Sequence, residues 1–143
     1  MPSPPLSPAD ERAVVAAITA AERGHPAEIR LHIERRCDGD PLAQARRRFY
    51  ELGMHRTRAG TGVLLYVALS ARRAAVYAGP GVYPHIDPSA WQPIVDAVTA
   101  GYAQGTPAAG LCAALARVGE LLRAAIPGDD PAGDELPDAV SYT

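Results

Sequence analysis

From Val63 to Leu69 every position is apolar, the pattern of a strand covered on both faces inside an α/β sheet. Arg73 to Ala78 follows after the short polar turn Ser70-Ala71-Arg72, so the two segments read as an antiparallel pair. Glu28 to Glu34 alternates with period two. This predicts a first strand with Ile29, Leu31 and Ile33 toward the core and Glu28, Arg30, His32 and Glu34 on the opposite face. Four ionisable residues on one strand face fit a solvated or helix-covered salt-bridge ladder better than a site.

Helical periodicity fills the rest. Ser7-Pro8-Ala9-Asp10 combines an N-cap serine, proline at the first helical position and an acid in the first turn. The stripe Val14, Val15, Ile18 and Ala21 follows, and Gly24-His25-Pro26 ends the helix. Asp40-Pro41 opens a second helix, with Leu42, Ala45, Phe49 and Leu52 on its apolar stripe and Arg46, Arg47 and Arg48 largely outward. Asp87-Pro88 begins a short turn that Pro93 separates from a helix over Ile94 to Tyr102. Trp91, Ile94, Val95 and Val98 supply its apolar side. Thr106 reads as a cap, and the last helix runs from Pro107 to about Ala125 with Leu111, Leu115, Val118, Leu121 and Leu122 inward.

Strand, helix and strand in this order make a right-handed β-α-β unit with parallel strands, and the third strand runs back antiparallel. The class is α/β around a mixed sheet, with helices before and after. The same topology brings His25 to Glu28, Arg56 to Gly62 and Gly79 to Tyr83 to one edge of the sheet, where a site is expected.

Length and composition refine this. At 143 residues the chain reads as one domain over residues 7–126, with a flexible segment at 1–6 and an acidic tail at 127–143. All 14 basic residues are arginine, and the tail holds Asp129, Asp130, Asp134, Glu135 and Asp138 with no basic residue. The body is therefore only mildly basic, which argues against nucleic acid, and the Arg46 to Arg48 triplet lacks an aromatic stacking platform. No apolar run is long enough to span a bilayer and no secretory signal pattern opens the chain, so a soluble, cytoplasmic protein is expected. Cys37 and Cys112 make neither a disulfide framework nor a metal motif, and Cys112 reads as a packing residue.

The ordered run of motifs resembles a known family. Glu28 to Ile33, Asp40-Pro41-Leu42-Ala43, Phe49 to Thr57, Gly62 to Ala68, Gly81-Val82, Trp91, Gly110-Leu111, Val118-Gly119 and the closing Asp134 to Tyr142 together are similar to the small, soluble subclass of the TPM domain family. The resemblance covers nearly the whole chain. It implies a three-layer α/β/α sandwich, and it suggests that Leu136 and Val140 dock the tail on the domain. Its functional implications diverge: some members are described as acid phosphatases, some bind calcium or similar ions, and others are accessory domains of membrane-protein assemblies, including photosystem maintenance.

Two departures bear on chemistry. Where the family usually reads Gly-Asp-x-Gly-Ile this chain has Ala78-Gly79-Pro80-Gly81-Val82, and Thr-x-Gly-Glu is replaced by His25-Pro26-Ala27-Glu28. Gly79 thus removes an oxygen ligand that a calcium site would want, leaving Glu28 with Glu22 or Asp87 as metal ligands. The expectation is a binding or accessory module with an unidentified protein partner. Its edge pocket is formed by His25, Glu28, Arg56, Thr57, Arg58, Gly79, Gly81 and Tyr83, with the glycine amides and Arg56 open to an anion. The alternative is a weak, divalent-metal-dependent phosphatase that uses the same edge, with Arg56 or Arg58 on the phosphoryl group and Glu28 or His25 as base or ligand. At the opposite end of the sheet Arg35, Arg36, Cys37, Asp38 and Asp40 meet the Ser70 to Arg73 turn, where Asp38 and Asp40 read as turn and capping residues. His32 is expected to pack under a helix and His55 to cap the second helix.

Overall fold

A computed structural model describes residues 6–57, 59–128 and 140–143. Ser7 starts α1 (Pro8–Ala21) by accepting the Asp10 amide on its hydroxyl at 3.1 Å. β1 (Glu28–Glu34) leads through the N-cap Asp40 into α2 (Pro41–Glu51), and β2 (Gly62–Ala68) and β3 (Arg73–Ala78) form the hairpin. A 3-10 turn at Pro88–Trp91 precedes α3 (Gln92–Ala103), and α4 (Pro107–Ala125) is followed by a short β4 (Val140–Tyr142).

The sheet order is β3-β2-β1-β4, with β1 parallel to both β2 and β4 and β2 antiparallel to β3. The expected mixed sheet is therefore present. Ile29, Leu31, Ile33, Val63, Leu65 and Val67 face a large core shared with α1, α3 and α4. On the other face Leu64, Tyr66, Ala68 and Ala75 meet Ala45 and Phe49 of α2 and the buried Met54. This is a three-layer α/β/α arrangement. β2 lies in the middle layer and is buried at all seven positions, which is why it shows no alternation.

Three details depart from the expectations. α2 meets the sheet through Pro41, Ala45 and Phe49, four residues apart, so Leu42 lies off that stripe and is 50% exposed. Arg48 shares the inner side and turns toward β1 rather than outward. Thr106 makes no side-chain cap; its hydroxyl lies 3.5 Å from the Gly101 carbonyl instead. There the backbones of α3 and α4 meet so closely that a Cβ on Gly101 would stand 2.7 Å from the Gly110 Cα.

Candidate functional site

The three loops converge as the topology requires. Glu28 donates its amide to the Thr61 carbonyl at 2.9 Å, and the Thr61 hydroxyl donates to the Pro26 carbonyl at 3.3 Å. The amides of Gly79 and Gly81 donate to the carbonyls of Gly62 and Gly60, both at 2.8 Å. These amides were expected to be open to an anion and are instead spent inside the loop pair. The fit is tight: a Cβ on Gly79 would lie 2.3 Å from the Gly60 carbonyl oxygen, and one on Gly81 would lie 2.1 Å from that of Ala59.

The side chains of this edge serve mostly the fold. His25 is buried, with Nε2 donating to the Ala21 carbonyl at 2.5 Å and Nδ1 accepting the Ala27 amide at 3.1 Å. Those two bonds fix the neutral tautomer and cap α1. Burial pushes its pKa down, the bond to Ala21 opposes that, and the Arg123 guanidinium adds to it. Glu22 accepts the Ile29 amide at 2.9 Å, and Thr57 accepts the Thr61 amide at 3.0 Å. Asp87 accepts the Ser89 amide and hydroxyl at 2.9 and 2.8 Å, which hold its carboxyl below the usual range. Glu28 is buried, while Arg56 is exposed and Tyr83 is 58% exposed. Arg58 lies outside the described residues, as do Leu136 and the acids of the tail. Among the described residues no group of three or more His, Cys, Asp or Glu side chains is placed to hold a metal ion.

The polar face of β1 is the second concentration of chemistry. Glu34 is buried and accepts from the Tyr66 hydroxyl, from Gln44 at 3.1 Å and from Arg48 Nε at 2.6 Å. Burial alone would raise its carboxyl, but Tyr66, Gln44 and Arg48 together hold it below the usual value. Arg48 also reaches Glu51 at 2.6 Å. His32 is buried on the same face: its Nδ1 lies 2.7 Å from the Ser141 hydroxyl, its Nε2 pairs with the Thr143 hydroxyl, and its ring stacks on Tyr66. His55 caps nothing: it is exposed in a 3-10 turn, with its ring 4.9 Å from Tyr50. This is the helix-covered ladder that the alternation permitted, completed by a strand from the chain's far end.

At the opposite end of the sheet the Ser70 amide and hydroxyl both donate to the Arg35 carbonyl, and Asp40 caps α2 by accepting the Leu42 amide at 3.3 Å. The β2-β3 turn places Arg72 at φ +52, a left-handed conformation that a non-glycine side chain adopts at about 1 kcal/mol. Between this turn and the last two turns of α3 lies a cleft of about 710 Å3. Periodicity did not reveal it, because it arises from small residues: Ala100 and Ala103 leave unfilled the space that larger side chains would take.

Comparison with known proteins agrees with this architecture. A model of the TPM domain matches residues 5–121. The chain belongs to the TPM domain family. This TPM domain is similar to the NMR structure of the BA42 protein from the psychrophilic bacterium Bizionia argentinensis, at 29% identity over 100% of this chain and 99% of that one, with a TM-score of 0.88. Its fold also resembles the N-terminal domain of a P. gingivalis protein, at 20% identity, 85% and 78% coverage and a TM-score of 0.70. The N-terminal domain of the cg2496 protein from Corynebacterium glutamicum matches at 18% identity, 82% and 74% coverage and a TM-score of 0.56. No curated protein matches the chain. Among the described residues no helix of the TPM domain is long and apolar enough to cross a membrane.

Proposed function

We propose that this TPM domain is a binding or accessory module whose glycine-rich edge engages a protein partner, rather than a hydrolase. One observation carries the reading: both ring nitrogens of His25 are already bonded to the backbone. A general base or a metal-ligating imidazole needs a free nitrogen. One oxygen of Asp87, Oδ1, accepts both the amide and the hydroxyl of Ser89. Among its described residues the edge exposes Arg56 and Tyr83, residue types that anchor protein interfaces, beside loops whose backbones pack closely at Gly79 and Gly81.

The test has two arms. Calcium, then inorganic phosphate, is titrated into chelator-treated protein with amide NMR as the readout, and p-nitrophenyl phosphate turnover is followed in parallel. The module reading expects no saturable shifts at 25–28, 56–62 and 79–83 and no turnover above background. Saturable calcium shifts accompanied by turnover, both abolished by Glu28→Ala, would establish the metal-dependent phosphatase instead. A photo-crosslinker at position 83 should then capture one protein species in the host cell, and Arg56→Glu should remove the adduct.

A further inference from the structure

The cleft at the far end of the sheet is independent of the glycine-rich edge, and its chemistry is of another kind. Val67, Leu69, Val98 and Ala103 give it apolar walls, no acidic side chain among the described residues lines it, and the exposed Arg72 and Arg73 line it as well. Neither arginine has an ion-pair partner among the described residues. Tyr102 also lines the cleft, and its hydroxyl is buried without a hydrogen-bond partner among the described residues. A buried, unpaired phenol is a standing donor and acceptor, since burial pushes its pKa up to about 12 and keeps it protonated.

We propose that this cleft binds a small amphiphilic carboxylate, its apolar body between the hairpin and α3 and its head at Arg72 and Arg73. The volume falls in the range of small-molecule sites, roughly 300–1,000 Å3, and apolar walls with a few polar groups are their usual lining. The backbone of Arg72 supports the assignment. Glycine is the unstrained residue at a φ of +52, yet an arginine holds the position and lines the cleft. The carboxyl end of α3, whose last residue Ala103 lines the same cleft, carries about half a negative charge. Two full positive charges outweigh it, and the dipole keeps the head on the hairpin side.

The experiment is an amide NMR titration of the full chain with sodium octanoate, 1-octanol and octylammonium. Octanoate should give saturable shifts confined to 67–73 and 98–103, and 1-octanol should bind there about tenfold more weakly. Octylammonium should bind more weakly still. Arg72→Gly should raise the melting temperature while reducing octanoate affinity to near that of 1-octanol, a divergence that a purely structural role for Arg72 would not produce. Arg73→Ala should weaken octanoate without the gain in stability, and Ala103→Leu, which narrows the cleft, should weaken binding of all three probes. The proposal is overturned if octanoate and 1-octanol bind equally, if the shifts spread over the surface or centre on 79–83, or if Ala103→Leu binds octanoate like the wild type.

Discussion

The Cα of Gly79 faces the Gly60 carbonyl so closely that a Cβ there would stand 2.3 Å from the oxygen. The position where the family resemblance leads one to expect an acid is therefore closed by backbone, which yields far less readily than a side-chain tip. Gly79→Asp should not restore a calcium ligand. It should destabilise the domain by about 1–3 kcal/mol through forced separation of the two loops. Urea unfolding of the variant, with and without calcium, checks both halves: a wild-type midpoint together with a calcium-dependent increase would show that the loops part freely.

His25 makes stability depend on pH in a definite direction. Burial lowers its folded pKa below the ordinary 6.5, and His32 is lowered by burial as well, despite the opposing Glu34 carboxylate. Well above pH 6.5 both rings are neutral in the folded and the unfolded chain and contribute no slope; near it the unfolded rings are already partly protonated. As pH falls below that value the unfolded chain takes up protons first, so stability declines. The melting temperature should thus fall between pH 7 and pH 5.5. His25→Ala should reduce that slope and cost about 1–2 kcal/mol at pH 7.5, because the Ala21 carbonyl and Ala27 amide lose their partner. An unchanged slope in the variant would mean that His25 protonates as readily in the fold as outside it.

The Glu34 and Arg48 pair titrates at the other end of the scale. Glu34 has its carboxyl held below 4.5, so its contribution is present above that pH and is lost as pH falls through the folded value. Glu34→Gln should remove this acid limb and cost about 3 kcal/mol, since it leaves Arg48 half-buried beside a neutral amide. Replacing both partners with apolar residues, Glu34→Leu with Arg48→Met, should cost less than the sum of the single changes. Additive losses in guanidinium unfolding would show that the two side chains act independently.

How much of this could be read from the chain follows from the range of each interaction. The period-two alternation of β1, the unbroken apolar run of β2 and the Ser7 and Asp40 caps are local signals, and each element stands where its pattern placed it. The meeting of the 25–28, 56–62 and 79–83 loops followed from topology. That the loops close on one another did not, because side-chain types carry no information on whether the Gly79 amide faces solvent or the Gly62 carbonyl. Arg48 looked like its neighbours Arg46 and Arg47 until helix rotation put it beside Glu34. The pairing of His32 with Ser141 spans more than a hundred residues, and the cleft depends on alanines whose significance lies in what they leave empty.

The last four residues carry a prediction of their own. Val140, Ser141 and Tyr142 pair with Leu31, His32 and Ile33, and Thr143 donates its amide to the Ile33 carbonyl at 3.1 Å and accepts that of Arg35 at 3.3 Å. Beyond the ladder, both His32 nitrogens meet hydroxyls of this strand, and the Tyr142 hydroxyl donates to Glu11 at 3.2 Å. Deleting residues 140–143 removes all of these and leaves the backbone of β1 as an unprotected sheet edge. The truncated chain should lose about 2–4 kcal/mol and show faster amide exchange at Arg35. It should also self-associate with rising concentration as the bare edge finds a second copy. His32→Ala should cost less and leave the chain monomeric, because it keeps the ladder. Equal effects of the two changes would place the strength of this closure in the histidine rather than in the strand.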